Sequence, residues 1–438
     1  MQNFWTRSAH RNYAVIIFIA ALVCSIASFA ADSFEEAPIH YSATEAHNTV
    51  SELKIALDAK PATLEYDAMS GYLASLLDAL KIPHESQVLV FSKTSLQTQH
   101  ISPSTPRAIY FNDDTYVGSV PNGEVIEISV ADPQLGAVFY TVSQEQSERP
   151  AVIRQTENCL QCHGSTLTRG IPGHLVRSVF ANADGFPILK AGTHVTTQAS
   201  PMEERWGGWY VTGNHGAARH MGNVLAVETE RDASIDVEAG ANRRMLDARV
   251  NPGQYLTPHS DVVALMVLVH QVDVHNLFTT ANFETRFAQH RQAAVDEILK
   301  RDLNIPGEST QRIIKNVGDK LVEYLLFANE APLKSPMTGT SGFMEAFPQQ
   351  GPRDSQGRSL REFDLQTRMF KYPLSYLIYS QAFDSLPKPM KEYVYRSLWD
   401  HLTGAVESRL NAHLNIETRN AIRQIVVETK PNLPEFWK

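Results

Sequence analysis

Residues 108–140 read AIYFNDDTYVGSVPNGEVIEISVADPQLGAVFY. Ala108-Ile109-Tyr110-Phe111 and Tyr116-Val117-Gly118 are short β-rich runs on either side of Asn112-Asp113-Asp114, which reads as a solvated turn rather than an acid–base pair. Pro121-Asn122-Gly123 is a second turn, and Asp132-Pro133-Gln134-Leu135-Gly136 is a loop. Between and after them come Val125-Ile126-Glu127-Ile128 and Ala137-Val138-Phe139-Tyr140. Short strands joined by short turns predict a small antiparallel sheet.

Upstream, Val88-Leu89-Val90-Phe91 adds one more apolar run. Before it, helical spacing predicts helices over about Ala43–Ala59, ended by Pro61, and Tyr66–Leu80, stopped by Pro83. Downstream, Leu175–Phe180 and Pro187–Lys190 read as strands around the turn Ala181–Gly185. From Ser260, a candidate N-cap, the texture turns helical, with no Gly or Pro up to Lys300. Val262–Val269 is an eight-residue apolar run. His270, Gln271 and Asp273 interrupt it too early for a membrane span, so it reads as a buried helix. Further helices are expected over Thr310–Ala328, Leu360–Phe370, Tyr376–Phe383, Lys391–Leu402 and Thr418–Thr429, with Ala331–Arg358 as a loop.

Between the two strand-rich stretches lies Cys159-Leu160-Gln161-Cys162-His163. C-x-x-C-H is the attachment pattern of c-type haem: each sulfur forms a thioether to a vinyl group, and the following histidine ligates the iron. Thr156 or Asn158 would help start a short helix carrying it. A structural zinc site commonly needs a second cysteine pair, and none exists. A dithiol redox site needs a βαβ setting and no trailing histidine. The expected cofactor is one covalent haem c, with Cys159 and Cys162 as attachment residues and His163 as the proximal iron ligand.

The sixth iron ligand decides between a closed electron-transfer haem and an open site. His215-Gly216-Ala217-Ala218-Arg219-His220-Met221 gathers two histidines, a methionine and an arginine suited to a propionate. His220 is the first choice of distal ligand, followed by Met221 and His215. His270, His275, His174, His194 and Met202 are further candidates. Trp206-Gly207-Gly208-Trp209 suits either close backbone approach to a flat ligand or a strand with a bulge. There is no P-loop, G-x-S-x-G, H-E-x-x-H or EF-hand pattern, so no separate catalytic residues are assigned and any chemistry rests on iron.

Arg7 and Arg11, the apolar stretch Tyr13–Ala30, and Ser28-Phe29-Ala30 before Ala31-Asp32 form an export signal with a cleavage site; an uncleaved anchor is the alternative. Val23 is too bulky for a lipobox before Cys24. Losing residues 1–30 moves the formal charge from −9 to −11, since Arg7 and Arg11 go and no acid does. That charge disfavours nucleic acid and anionic membrane as partners and allows a basic redox protein. The 43% apolar and 20% charged content is that of a globular chain.

The chain also resembles a family of large exported bacterial proteins known mainly as cytochrome c domain-containing. The resemblance is carried by Leu89–Ser95 (LVFSKTS), Thr105–Gly118 (TPRAIYFNDDTYVG), Cys159–His163, Arg205–Gly213 (RWGGWYVTG), Leu360–Phe370 and Tyr376–Ser380. It implies haem binding and electron transfer, and brings no substrate.

The resulting expectation is an α+β chain: a small antiparallel sheet region around a c-type haem motif, followed by a large α-helical lobe. It divides into a signal peptide (1–30), an N-terminal α+β region (31–145), a haem-binding cytochrome c-like region (146–255) and a helical C-terminal lobe (256–438). The expected function is that of a periplasmic mono-haem c-type cytochrome carrying one electron to a redox partner protein. A haem-dependent oxidoreductase or small-molecule sensor with an open distal site is the alternative. A scaffold with a purely structural haem is the third reading.

Overall fold

The computed structural model describes residues 33–59, 63–300 and 305–437. The expected signal segment lies outside them. The fold is α+β: a seven-stranded antiparallel sheet followed by a mostly helical region.

The sheet strands are β1 (Val88–Val90), β2 (Arg107–Phe111), β3 (Thr115–Ser119), β4 (Val125–Asp132), β5 (Gly136–Ser143) and β6 (Val152–Gln155), together with β9 (Trp209–Tyr210). β7 (Arg177–Val179) and β8 (Thr193–Val195) form a separate ribbon. Across the sheet the order is β6-β5-β4-β3-β2-β1-β9, a meander of consecutive hairpins closed at one edge by a late strand. The register places Phe111, Tyr116, Ser129, Phe139 and Gln155 in one cross-strand row, and Ile109, Gly118, Glu127 and Thr141 in the next. Successive side chains of a strand alternate between faces. These rows therefore share one face, while Ala108, Tyr110, Val117, Ile128, Val138 and Tyr140 share the other.

The second face packs on the N-terminal helices α1 (Thr49–Asp58) and α2 (Leu73–Ala79) in one apolar core. α1 starts at Thr49, later than the spacing suggests, because Asn48 caps it. The Asn48 side chain accepts from Ser51 N–H, and Ser51 Oγ accepts from Asn48 N–H. The first face contributes Val88, Val90, Phe111 and Tyr116 to a second core shared with the helical region.

That region begins, after the single turn α3 (Leu160–His163), with α4 (Val262–Leu299). α4 alone among the described helices is long and apolar enough to cross a membrane, and its apolar window is wholly buried in protein. Each such Val or Leu gains about 1.5–3 kcal/mol from burial. Asp261 caps this helix in place of Ser260. One carboxylate oxygen accepts from Val263 N–H and Ala264 N–H, and the other from Ser341 N–H at 2.9 Å. Ser260 instead donates to the Tyr210 carbonyl and accepts from Leu89 N–H, pinning the helix entry to the sheet.

α5 (Glu308–Leu325), α6 (Lys388–Thr403) and α7 (Ile416–Thr429) complete the layer. The expected helix over Leu360–Phe370 is not formed. The Asp364 carboxylate accepts from Gln366 N–H and Thr367 N–H at 2.7 Å, and Leu365 takes φ +55°. The result is a turn between the bridged residues Phe363 and Phe370. Tyr376–Phe383 splits into two short turns capped by Ser375 and Ser380.

Candidate functional site

A cavity of about 540 Å³ lies on the first face of the sheet. Its floor is Phe139, Ser129, Glu127, Tyr116 and Gly118. Its walls come from Leu268 and Val272 of α4, Trp209 of β9 and the approach to β7. Asn158, Cys159, Cys162 and His163 line it as well. The volume is that of a small-molecule or cofactor pocket.

Cys159, Cys162 and His163 sit at helical positions i, i+3 and i+4, which share one face of a turn. The turn is closed by His163 N–H donating to the Cys159 carbonyl at 2.9 Å. No side chain caps it, so neither Thr156 nor Asn158 plays that part. Both cysteines are free thiols, Cys162 exposed and Cys159 partly buried. Burial, with the Glu127 carboxylate second, pushes the Cys159 thiol up to about 11.

The His163 ring packs against Phe139 with centroids 4.9 Å apart. Its Nδ1 lies 2.8 Å from the Gly173 carbonyl. A carbonyl only accepts, so Nδ1 carries the proton and Nε2 keeps its lone pair with no protein partner. Burial lowers the His163 pKa and keeps the ring neutral. A neutral imidazole with one nitrogen hydrogen-bonded to backbone is the form that binds a metal through the other.

The lining carries four charged side chains. Arg107 Nη2 meets Glu127 Oε2 at 2.5 Å, while Arg107 Nε and Glu127 Oε1 are buried without partners. Lys93 and Arg177 also line the cavity. Three apolar residues at the rim are strongly exposed: Leu96 at 58%, Phe186 at 52% and Leu189 at 82%. Among the described residues no group of three or more His, Cys, Asp or Glu is arranged to hold a metal ion alone.

His220 is not on this cavity. The His215 Nδ1–H donates to the Ala218 carbonyl, which leaves His215 Nε2 as acceptor for Asn242 N–H and for His220 Nε2 at 3.1 Å. His220 Nε2 therefore carries its proton, and its Nδ1 lone pair accepts from Gly222 N–H at 3.0 Å. The ring, buried against Trp206, has no lone pair left for iron. Met221 receives a contact from Ser178 Oγ, and Arg219 forms a bidentate pair with Glu238. The loop expected to cap the cofactor thus satisfies itself.

Other candidates disperse as well. His270 bridges Gln198 and Ser375, and His194 bonds Ser200. His275 is buried with both ring nitrogens unpartnered, its ring 5.9 Å from that of His174. Of these histidines, His174 is the one on the cavity lining. Its Nδ1 bonds Ser129 Oγ at 2.7 Å, its Nε2 is buried without a partner, and its peptide groups are clamped by Asn276. The Trp-Gly-Gly-Trp stretch divides. Trp209 lines the cavity, while Gly207 and Gly208 press against neighbouring chain; a Cβ on Gly207 would lie 2.4 Å from the Val179 carbonyl. Arg107, Lys93 and Arg177 gave no local signal in the sequence, because they lie on β2, on the segment after β1 and on the separate β7 ribbon, and only tertiary packing brings them to one cavity.

Comparison with family models, curated proteins and solved structures finds no match to this chain.

Proposed function

We propose that this chain is an exported, periplasmic mono-haem c-type cytochrome that passes single electrons to a redox partner protein. Cys159 and Cys162 would hold the haem and His163 would ligate its iron. The observation that carries the reading is the C-x-x-C-H turn lining a cofactor-sized cavity, with a neutral His163 whose Nε2 is free. The bound haem supplies the one-electron couple. The chain's own residues do the rest. The Gly173 carbonyl orients the His163 ring, Phe139 packs on it, and Trp209, Leu268 and Val272 give the cavity an apolar wall. The exposed rim of Leu96, Phe186 and Leu189 is an apolar surface on which a partner docks close to the cofactor edge. The resemblance carried by Leu89–Ser95 and Arg205–Gly213 points the same way.

Haem staining of the purified chain on a denaturing gel tests the reading. Wild type should stain, and Cys159→Ala and Cys162→Ala should each lose stable covalent haem. Full staining of both variants would refute the attachment.

A second reading, a haem oxidoreductase or sensor with an open distal side, is favoured by one observation. The Arg107–Glu127 pair on the floor keeps two polar atoms free beside the motif. A reduced protein that binds carbon monoxide selects this reading. A low-spin iron indifferent to carbon monoxide selects the carrier.

A further inference from the structure

The cavity is cationic although the chain is acidic. Its lining holds Lys93, Arg107 and Arg177 against Glu127 alone, in a chain of formal charge −9. Arg107 and Glu127 neutralise each other through their 2.5 Å contact. Lys93 and Arg177 have no acidic partner among the described residues. The Lys93 ammonium rests 4.5 Å from the centroid of the Phe186 ring, at the rim. The Arg177 guanidinium reaches only a hydroxyl, Thr193 Oγ1, at 3.2 and 3.3 Å. A guanidinium has five N–H donors, so most of its capacity is open.

The chain segments that carry the two cations pack on the same stretch, Gly185 and Gly208-Trp209, so both side chains line one cavity. Lys93 N–H donates to the Gly185 carbonyl. Ser92 and Val179, the neighbours of Lys93 and of the Arg177 strand, meet at Gly208: a Cβ there would lie 2.6 Å from Ser92 Cβ and 3.1 Å from Val179 Cγ2. The Arg177 carbonyl accepts from Trp209 Nε1 at 2.7 Å.

We infer that Lys93 and Arg177 form a carboxylate-binding end of this cavity and receive the two propionates of the haem, an assignment that rests on the haem reading above. Two uncompensated cations match two carboxylates, and their place at the rim lets water share the solvation of the charged ends. A charged hydrogen bond from guanidinium or ammonium to carboxylate is the stronger kind. Arg219, the arginine that sequence suggested for this task, is already committed to Glu238.

The experiment uses the holoprotein and the variants Lys93→Gln, Arg177→Gln, the double variant, and Arg219→Gln as control. Haem staining comes first: haem-free wild type would overturn the cofactor reading and this assignment with it. With haem attached throughout, the propionate bending bands in resonance Raman should shift in Lys93→Gln and in Arg177→Gln and stay put in Arg219→Gln. Lys93→Arg and Arg177→Lys should largely restore them. The midpoint potential should fall in each Gln variant and further in the double, since a nearby cation favours the reduced iron. Unchanged Raman bands in both Gln variants would overturn the assignment. So would a saturable spectral shift of the wild type with added acetate that the Gln variants lose, because the cations would then be free for a soluble anion.

Discussion

His163 and Gly173 hold each other twice. The Gly173 N–H donates to the His163 carbonyl at 2.8 Å, and the His163 ring Nδ1–H donates to the Gly173 carbonyl at 2.8 Å. One residue, through its own N–H and its own carbonyl, thus sets both the backbone and the ring orientation of the proposed iron ligand. Gly173 has no room for a side chain, since a Cβ would lie 2.6 Å from Asn276 Oδ1. That oxygen accepts from His174 N–H. Gly173→Ala is therefore expected to lose about 1–3 kcal/mol by overpacking and to disturb the iron spectrum. Urea denaturation and the visible spectrum of the holoprotein measure the two effects. Wild-type values for both would remove Gly173 from the support of His163.

His220 is expected to matter for stability and not for the iron. His220→Ala leaves Gly222 N–H without its acceptor in a buried place, while His215 Nε2 keeps only Asn242 N–H. The cost of such orphaned groups is about 1–3 kcal/mol. The denaturation midpoint should drop while the haem spectrum keeps its form. A low-spin to high-spin change at unaltered stability would instead make His220 an iron ligand.

Asp261 joins three parts of the chain: the start of α4, Ser341 on the loop after α5, and Gln87 just before β1, whose carbonyl accepts from Asp261 N–H. Loss of an N-cap alone costs about 0.5–2 kcal/mol. Asp261→Ala should cost more, because Ser341 N–H loses its acceptor too, and Asp261→Asn should recover part of the loss. Denaturant titration of the three proteins checks the ranking; an alanine variant within about 0.5 kcal/mol of wild type would contradict it.

Acid should weaken the fold above the pH range of ordinary, solvated carboxylates. His270 is buried, with Nδ1 donating to Gln198 Oε1 and Nε2 accepting from Ser375 Oγ. Burial first, and the neighbouring His275 second, press its pKa down to about 3 from 6.5. A folded-state value below the unfolded one means the unfolded chain takes up the proton first. The stability linked to neutral His270 is present above pH 6.5 and is lost as pH falls from there towards 3. One such group contributes at most about 1.4 kcal/mol per pH unit. His270→Gln should flatten the fall of the urea midpoint between pH 6.5 and 4. An identical pH slope in the variant would rule the effect out.

The sheet and the C-x-x-C-H pattern were legible because both are local. Alternation and turn residues in 108–140 specify strands, and C-x-x-C-H is a five-residue pattern. The cavity was not legible, because Lys93, Arg107, His174, Arg177 and Leu268 meet only through strand register and helix docking. Leu360–Phe370 misled for a different reason. Its apolar spacing suits a helix, but the Asp364 carboxylate competes for the amides that a helix would use. In the His215–Met221 cluster residue type is a poor guide, because the loop itself consumes the ring lone pairs its histidines offer.

The core that takes in Val88, Val90, Phe111 and Tyr116 also contains Val262–Val269, Leu321, Leu398 and Ile425. Sheet and helices therefore cannot melt separately: losing the helices would bare one side of the sheet to water, and losing the sheet would strip the most apolar part of α4. The thermodynamic unit is the whole molecule, whatever borders the sequence suggests near residue 256. Calorimetry should show one heat-absorption peak with equal calorimetric and van't Hoff enthalpies, and limited proteolysis between Arg231 and Gln254 should not release a folded half. Two resolved peaks would mean that the shared core couples the halves too weakly to unite them.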